Sequence, residues 1–364
     1  MPKEPIRPNI GSIKPYVPGK PVEEAERELN ISGVIKLASN ENPLGPSPKA
    51  IEAINKYSKE VNLYPDQNCY QLNRLLAEKL RMPPENIAIG NGSDELMLLI
   101  ALAYISAGDE VIISFNTFST YEMVSSLMEA SLVKVNLKDY RYSLSAMAEA
   151  VTQKTKLIFI CNPNNPTGTI NTQKEMDGLL SKVPKNALVI IDEAYGEYVE
   201  SLEYPNSLKY VKDRMNVVVL RTFSKIYGLA GLRVGCAIAR PEIIRYLNLV
   251  RLPFSVNRLA QIAASVSLSD NEHVSKSIKN NSEGKAYLYR ELEKLGVSYV
   301  KSEANFIFIN LNNDADAAFL EMMRRGVIVR PLTSFGMPGS IRVTIGTPEQ
   351  NKKFINALSG SLKP

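Results

Sequence analysis

Short apolar runs alternate with longer stretches of helical period along most of the chain. Runs rich in Val, Ile and Leu over 87–89, 110–114, 132–137, 156–161, 187–192, 216–221 and 232–239 read as strands. Several show no polar alternation, the pattern of strands buried on both faces. Between most of them lie helix-sized segments, over 93–106, 119–129, 144–151 and 172–182. Strand and helix in alternation predict an α/β fold with a mostly parallel sheet in a large domain. After Pro241 the rhythm changes. A helical region over about 256–295 precedes a strand region over 298–311, a helix through Arg325, strands over 327–332 and 340–346, and a last helix from Pro348, which is the pattern of a smaller α+β domain. Pro2, Pro5, Pro8, Pro15, Pro18, Pro21, Pro43, Pro46 and Pro48 crowd the start of the chain, too many for regular structure, and predict an arm laid over the rest. The boundaries that follow are 1–44 for the arm, joining the small domain, 45–255 for the large domain and 256–364 for the small one.

Open α/β sheets bind ligands beyond the carboxyl ends of their strands, and four clusters fall there. The run Arg221-Thr-Phe-Ser-Lys-Ile-Tyr-Gly-Leu-Ala-Gly-Leu-Arg233 sets Lys225 beside the hydroxyls of Thr222 and Ser224, with Arg233 downstream. A lysine forms a Schiff base with an aldehyde, hydroxyls donate to phosphate oxygens, and a guanidinium offers a bidentate fork. An aldehyde that carries a phosphate, pyridoxal phosphate (PLP), meets all three demands. Gly90-Asn-Gly-Ser-Asp94 follows a strand and opens a helix, so the N–H groups of Gly92, Ser93 and Asp94 can receive the phosphate. In Asn162-Pro-Asn-Asn-Pro-Thr-Gly168, Asn164 or Asn165 can point an amide at a ring hydroxyl. Asp192-Glu-Ala-Tyr195 follows an apolar strand, where a carboxylate needs a positive partner such as a protonated pyridine nitrogen.

These groups make one chemical set. An ionised Asp192 keeps the ring nitrogen protonated and the ring an electron sink. Asn165 and Tyr195 would hydrogen-bond the ring oxygen, Phe118 would stack on the ring face, and Lys225, once released, would serve as the base that moves the substrate's α-proton.

Composition narrows the field. Charged residues make up 22% and hydrophobic residues 45% of the 364, the make-up of a globular enzyme. No apolar run approaches the roughly 18 residues that span a bilayer, so no membrane partner is expected. The start of the chain lacks the apolar core of a secretion signal, which makes the cytoplasm the expected address. A net charge of +5 without a basic block argues against nucleic acid and permits anionic substrates. Cys69, Cys161 and Cys236 match no metal or redox spacing. The only histidine, His273, reads as a solvated helix residue, so histidine catalysis and a metal site are not expected.

Taken in order, G-N-G-S-D-E, T-F-S-T-Y, N-P-N-N-P-T-G, D-E-A-Y and T-F-S-K-I-Y-G-L-A-G-L-R resemble the PLP-dependent transferases of fold type I, specifically their aminotransferases. Leu37-Ala-Ser-Asn-Glu-Asn-Pro43, Tyr64-Pro-Asp66 and Arg342-Val-Thr-Ile-Gly346 make the resemblance closest to the histidinol-phosphate aminotransferases, from about Lys14 to the last helix. The resemblance implies a homodimer in which Tyr64 is lent to the neighbour's cofactor phosphate. It implies that Arg342 holds the substrate's anionic end, with Arg330, Tyr16 and Asn42 also against substrate. It further implies amino transfer between histidinol phosphate and 2-oxoglutarate, giving glutamate. An aromatic amino-acid aminotransferase and a threonine-phosphate decarboxylase are the alternatives on the same fold. Three positions depart from the pattern: Phe118 replaces the usual stacking tyrosine, Phe115-Asn116 lacks a proline, and Cys236 replaces an aromatic residue.

Overall fold

The computed structural model describes residues 6–13, 15, 18–311 and 315–362. Its centre is a seven-stranded sheet of β1 (Ile87–Gly90), β2 (Glu110–Ser114), β3 (Ser131–Val135), β4 (Thr155–Cys161), β5 (Leu188–Asp192), β6 (Val217–Thr222) and β7 (Gly235–Ile238). The strand order is β1-β7-β6-β5-β4-β2-β3. From β6 across to β3 every neighbouring pair is parallel. β7 runs antiparallel to both β6 and β1. All of β5 and all but one residue of β4 are buried. The unbroken apolar runs over 157–161 and 188–191 follow from that, because little of either face is left for polar side chains.

A second, antiparallel sheet comprises β8 (Ser298–Val300), β9 (Phe306–Asn310), β10 (Arg330–Pro331) and β11 (Ser340–Thr344), in the order β8-β9-β11-β10. It has its own apolar core, in which Ile307, Ile309 and Val343 of the sheet meet Leu288, Met322 and Phe354 of three helices. Among the described residues no helix is long and apolar enough to cross a membrane.

The α/β alternation is as expected, while several boundaries differ for local reasons. The run over 232–239 starts its pairing only at Gly235, since Arg233 takes left-handed backbone (φ 55°) after the 3₁₀ turn Ala230–Leu232. The helical region over 256–295 is two helices, Arg258–Leu268 and Asn271–Lys294; Asp270 accepts the His273 N–H and so caps the second. His273 is buried, not solvated, because this first turn packs inward. The stretch over 327–332 divides as well. Val327–Ile328 pairs in parallel with Ile35–Lys36, and Arg330–Pro331 pairs with β11. The proline-rich start contains regular structure too: the helix Val22–Leu29 begins right after Pro21, the end of a helix where a fixed φ is tolerated. Arg7 and Asn9 donate to the last carbonyls of the helix Thr120–Leu127.

Candidate active site

Parallel strands deliver their last residues to one edge of the sheet. β4 ends at Cys161, β5 at Asp192 and β6 at Thr222, and the loops that follow carry Asn165, Tyr195 and Lys225. β7 contributes in the opposite sense. Its first residue, Gly235, pairs with Thr222 and Gly90, so Arg233 just before it reaches the same edge. One cavity there is lined by Ser93, Asp94, Phe118, Asn165, Asp192, Tyr195, Thr222, Ser224, Lys225, Arg233 and Arg342. Eleven residues chosen from sequence thus meet in one place.

The end of the cavity nearest β1 is a cradle for an anion. The helix Gly92–Tyr104 opens there, with unsatisfied N–H groups and the positive end of its dipole. Arg233 Nη1 donates to Ser224 Oγ at 3.2 Å, and Nη2 lies 3.2 Å from Asp94 Oδ2. Gly92 has φ +82°, and a Cβ there would stand 2.6 Å from Arg233 Nη2, so a side chain at this position would displace the guanidinium.

At the other end stands Asp192, 3% exposed. Its Oδ2 accepts the Tyr121 hydroxyl at 2.7 Å and its Oδ1 accepts the Ala194 N–H at 3.0 Å. Burial pushes its pKa up to about 6, and these two donors hold the rise in check. Such a carboxylate calls for a cation. Tyr121 stacks on Phe159 at 4.9 Å and meets Phe118 edge-on at 5.7 Å, so one ring braces both the acid and the expected stacking residue.

Between the two ends lies Lys225, half-buried, with Nζ 3.1 Å from the Ser39 carbonyl. Burial, and then the Arg342 charge, pushes its pKa down to about 8. Tyr195 is buried, with its phenol pKa raised by desolvation. Arg342 donates to Asn165 Oδ1 and, at 2.6 Å, to the Ala38 carbonyl. Since Asn165 Oδ1 is engaged, its amide nitrogen is the part left for the cavity.

The remaining expected site residues fall elsewhere. Asn42 does not line this cavity: its amide donates to the Ile226 carbonyl at 2.8 Å and to Ser277 Oγ at 2.9 Å, which ties the chain down locally. Arg330 stands opposite Arg342 in register on β10 and faces a neighbouring cavity that Pro18, Lys20 and Ser334 also line. Tyr64 is 80% exposed and stacks on Phe254 at 4.6 Å, away from this chain's own cavity. Tyr16 lies outside the described residues. Ser39, Asn40, Glu41, Cys161 and Ala230 also line the cavity, and Tyr121 stands behind it. Sequence reasoning gave none of these six a role, although Ser39, Asn40 and Glu41 lie in the motif 37–43, Tyr121 ends the motif T-F-S-T-Y and Ala230 lies in the run that carries Lys225.

PLP fits this donor set. A helix start, two hydroxyls and an arginine match a phosphate, a buried carboxylate matches a protonated ring nitrogen, and the lysine between them matches an aldehyde. Known proteins agree. The family "Aminotransferase class I and II" matches residues 32–358. The histidinol-phosphate aminotransferase of Moorella thermoacetica is 55% identical over 96% of this chain and 91% of its own length. Histidinol-phosphate aminotransferase 2 of Carboxydothermus hydrogenoformans is 48% identical over 97% and 98%. The crystal structure of a histidinol-phosphate aminotransferase from Sinorhizobium meliloti in complex with pyridoxal-5'-phosphate superposes with a TM-score of 0.90 at 26% identity, covering 99% of this chain and 98% of that one. With a lysine, an acid and an arginine beside a helix start gathered at one sheet edge, and with relatives of this identity along nearly its whole length, the chain belongs to the class I and II aminotransferases, PLP-dependent transaminases.

Proposed function

We propose that this transaminase moves an amino group from histidinol phosphate to 2-oxoglutarate, giving glutamate, in histidine biosynthesis. The observation that carries the reading is the meeting of Lys225, Asp192, Tyr195, Asn165 and Arg342 in one cavity of a chain whose relatives at 55% and 48% identity bear that substrate in their names.

In this reading PLP, when bound, supplies an electron sink for the pair left at the substrate's α-carbon. Asp192 faces the ring nitrogen and keeps its proton in place. Tyr195 and Asn165 Nδ2 donate to the ring oxygen. Gly92, Ser93 and Asp94 N–H groups, Thr222, Ser224 and Arg233 hold the phosphate, and Phe118 covers the ring. Lys225 Nζ is the base that takes the α-proton. Its pKa of about 8 leaves roughly a tenth of it as free amine at pH 7, far more than an ordinary lysine with its pKa of about 10.4. Arg342 takes the anionic end of the substrate, and Arg330, opposite it on the neighbouring strand, is the candidate for a phosphate that extends into the adjoining cavity. Such an enzyme belongs in the cytoplasm, where the buried thiols of Cys69, Cys161 and Cys236 stay reduced.

The reading includes a homodimer. Val61, Leu63, Tyr64, Leu249 and Leu252 are all more than half exposed, an apolar surface suited to burial against a second copy, with Tyr64 reaching the partner's phosphate cradle. Mixing inactive Lys225→Ala protein with an inactive Tyr64→Ala variant should then restore one intact site per heterodimer. Lack of recovery despite subunit exchange would return Tyr64 to its own chain.

Initial rates over a panel of amino donors test the substrate. Histidinol phosphate should give the highest kcat/KM, with strict dependence on 2-oxoglutarate. A preference for phenylalanine would make the enzyme an aromatic aminotransferase, and carbon dioxide release without an oxo acid would make it a lyase.

A further inference from the structure

The motif 37–43 brings Glu41 to the cavity wall, and the three residues before it meet the site in succession. The Ala38 carbonyl accepts from Arg342 at 2.6 Å, the Ser39 carbonyl accepts from Lys225 at 3.1 Å, and Asn40 Nδ2 lies 3.0 Å from the Tyr195 hydroxyl. Asn40 is 1% exposed and adopts left-handed backbone at φ 55°, a conformation asparagine tolerates better than most residues.

One orientation of its side chain gives the Thr344 hydroxyl proton an acceptor, where the flipped amide would turn a donor toward it. The Asn40 N–H donates to Thr344 Oγ1 at 2.9 Å, which leaves the threonine hydroxyl proton for Asn40 Oδ1, 3.3 Å away. Asn305 Nδ2 donates to the Asn40 carbonyl at 3.0 Å. With Oδ1 committed to Thr344, the amide nitrogen must face Tyr195, and an amide nitrogen only donates. Tyr195 therefore accepts from Asn40, and its own proton has to point elsewhere. The cavity is the side on which Tyr195 is open.

We propose that Asn40 is a positioning residue that makes Tyr195 a hydrogen-bond donor into the cofactor cavity. The inference rests on the reading that Tyr195 faces the ring oxygen of PLP. Arg342 treats Asn165, the other residue that would donate to the ring oxygen, in the same way, occupying its oxygen and leaving its nitrogen to donate. Two donors fixed in this manner favour an ionised ring oxygen, and neither has to reorient when the cofactor arrives.

Asn40→Asp tests the idea with almost no change of shape, because a carboxylate accepts where the amide donated and would turn the Tyr195 proton away from the cavity. Asn40→Gly keeps the left-handed backbone accessible and simply removes the donor. Each variant, as apoprotein, would be titrated with PLP, and the absorbance of the bound chromophore would be followed against pH. Circular dichroism and thermal unfolding of the apoproteins monitor folding. Asn40→Asp should weaken PLP binding about tenfold and raise the chromophore's titration midpoint by about one pH unit, the effect of one lost charge-assisted donor. Asn40→Gly should shift both in the same direction by less. In a Tyr195→Phe background the effects of the neutral variant Asn40→Gly should vanish, because no hydroxyl remains to orient, and those of Asn40→Asp should shrink to the direct effect of its added charge. Unchanged affinity and midpoint in folded Asn40→Asp protein, or Asn40→Gly shifts that persist without the Tyr195 hydroxyl, would overturn the proposal. Tyr195→Phe alone separates the underlying reading: no effect of that change would mean Tyr195 does not face the ring oxygen at all.

Discussion

Replacing Asp192 with asparagine should make the apoprotein more stable at alkaline pH while disabling the enzyme. In the folded chain burial raises the Asp192 pKa from 3.8 to about 6. A carboxyl with a raised folded pKa keeps its full contribution to stability below its unfolded pKa and loses it as pH climbs through the folded value. A rise of about two units corresponds to about 3 kcal/mol lost by pH 8. Asparagine cannot ionise and escapes this loss. It has one oxygen, however, for the two donors Tyr121 Oη and Ala194 N at 2.7 and 3.0 Å, and the mismatch costs about 1 kcal/mol at every pH. Asp192→Asn should therefore be slightly less stable than the parent near pH 4 and more stable by about 2 kcal/mol near pH 8. The chain has no tryptophan, so urea unfolding of the two apoproteins is best followed by far-ultraviolet circular dichroism. PLP should shrink the alkaline difference, since a protonated ring nitrogen relieves the parent's buried charge and not the variant's. The amino-transfer half-reaction should slow by orders of magnitude in the variant, because the lost interaction acts on charge that develops during the reaction. A stability difference that stays flat from pH 4 to 8 would refute the reasoning, as would near-normal turnover.

Borohydride reduction of the PLP-loaded enzyme, followed by peptide mapping, should place the pyridoxyl group on Lys225; any other lysine would move the site. Tyr121→Phe keeps the stack on Phe159 and the edge contact with Phe118 but removes a charge-assisted hydrogen bond worth about 1.5–3 kcal/mol. It should slow the half-reaction about tenfold to a hundredfold with little change in KM for the amino donor, whereas an unchanged rate would show that Ala194 alone suffices to hold Asp192. Arg330→Ala should lower kcat/KM for histidinol phosphate more than for phenylalanine, while Arg342→Ala should impair both. Equal losses from Arg330→Ala on the two substrates would remove Arg330 from phosphate recognition.

Much of the candidate site was legible in the sequence because its chemistry falls at strand ends. Apolar runs locate the strands, and a polar residue that ends such a run, as Asp192 and Thr222 do, stands out against its neighbours. Elements without a periodic signal were harder. The helix Val22–Leu29 lies among prolines, and the pairing of Val327–Ile328 with Ile35–Lys36 joins segments about 290 residues apart. His273 looked solvated because the polar residues beside it carry no information about which side of the helix packs inward.

The amino-acid sequence by itself determined the α/β alternation, the sheet edge at which the candidate site forms, and the lysine, acid, hydroxyls and arginine proposed to hold PLP. These are local properties, since side-chain chemistry and strand position can be read within a dozen residues. Tertiary structure decided how those groups are held. Tyr121 reaches Asp192 across 71 positions, Asn40 reaches Tyr195 across 155, and Thr344 fixes Asn40 across 304. It also tied Asn42 to Ile226 and Ser277, 184 and 235 positions away, and turned Arg330 toward a second cavity. A hydrogen bond depends on two atoms meeting within about 3 Å at the right angle, and for residues so far apart in the chain only the packed fold determines that distance.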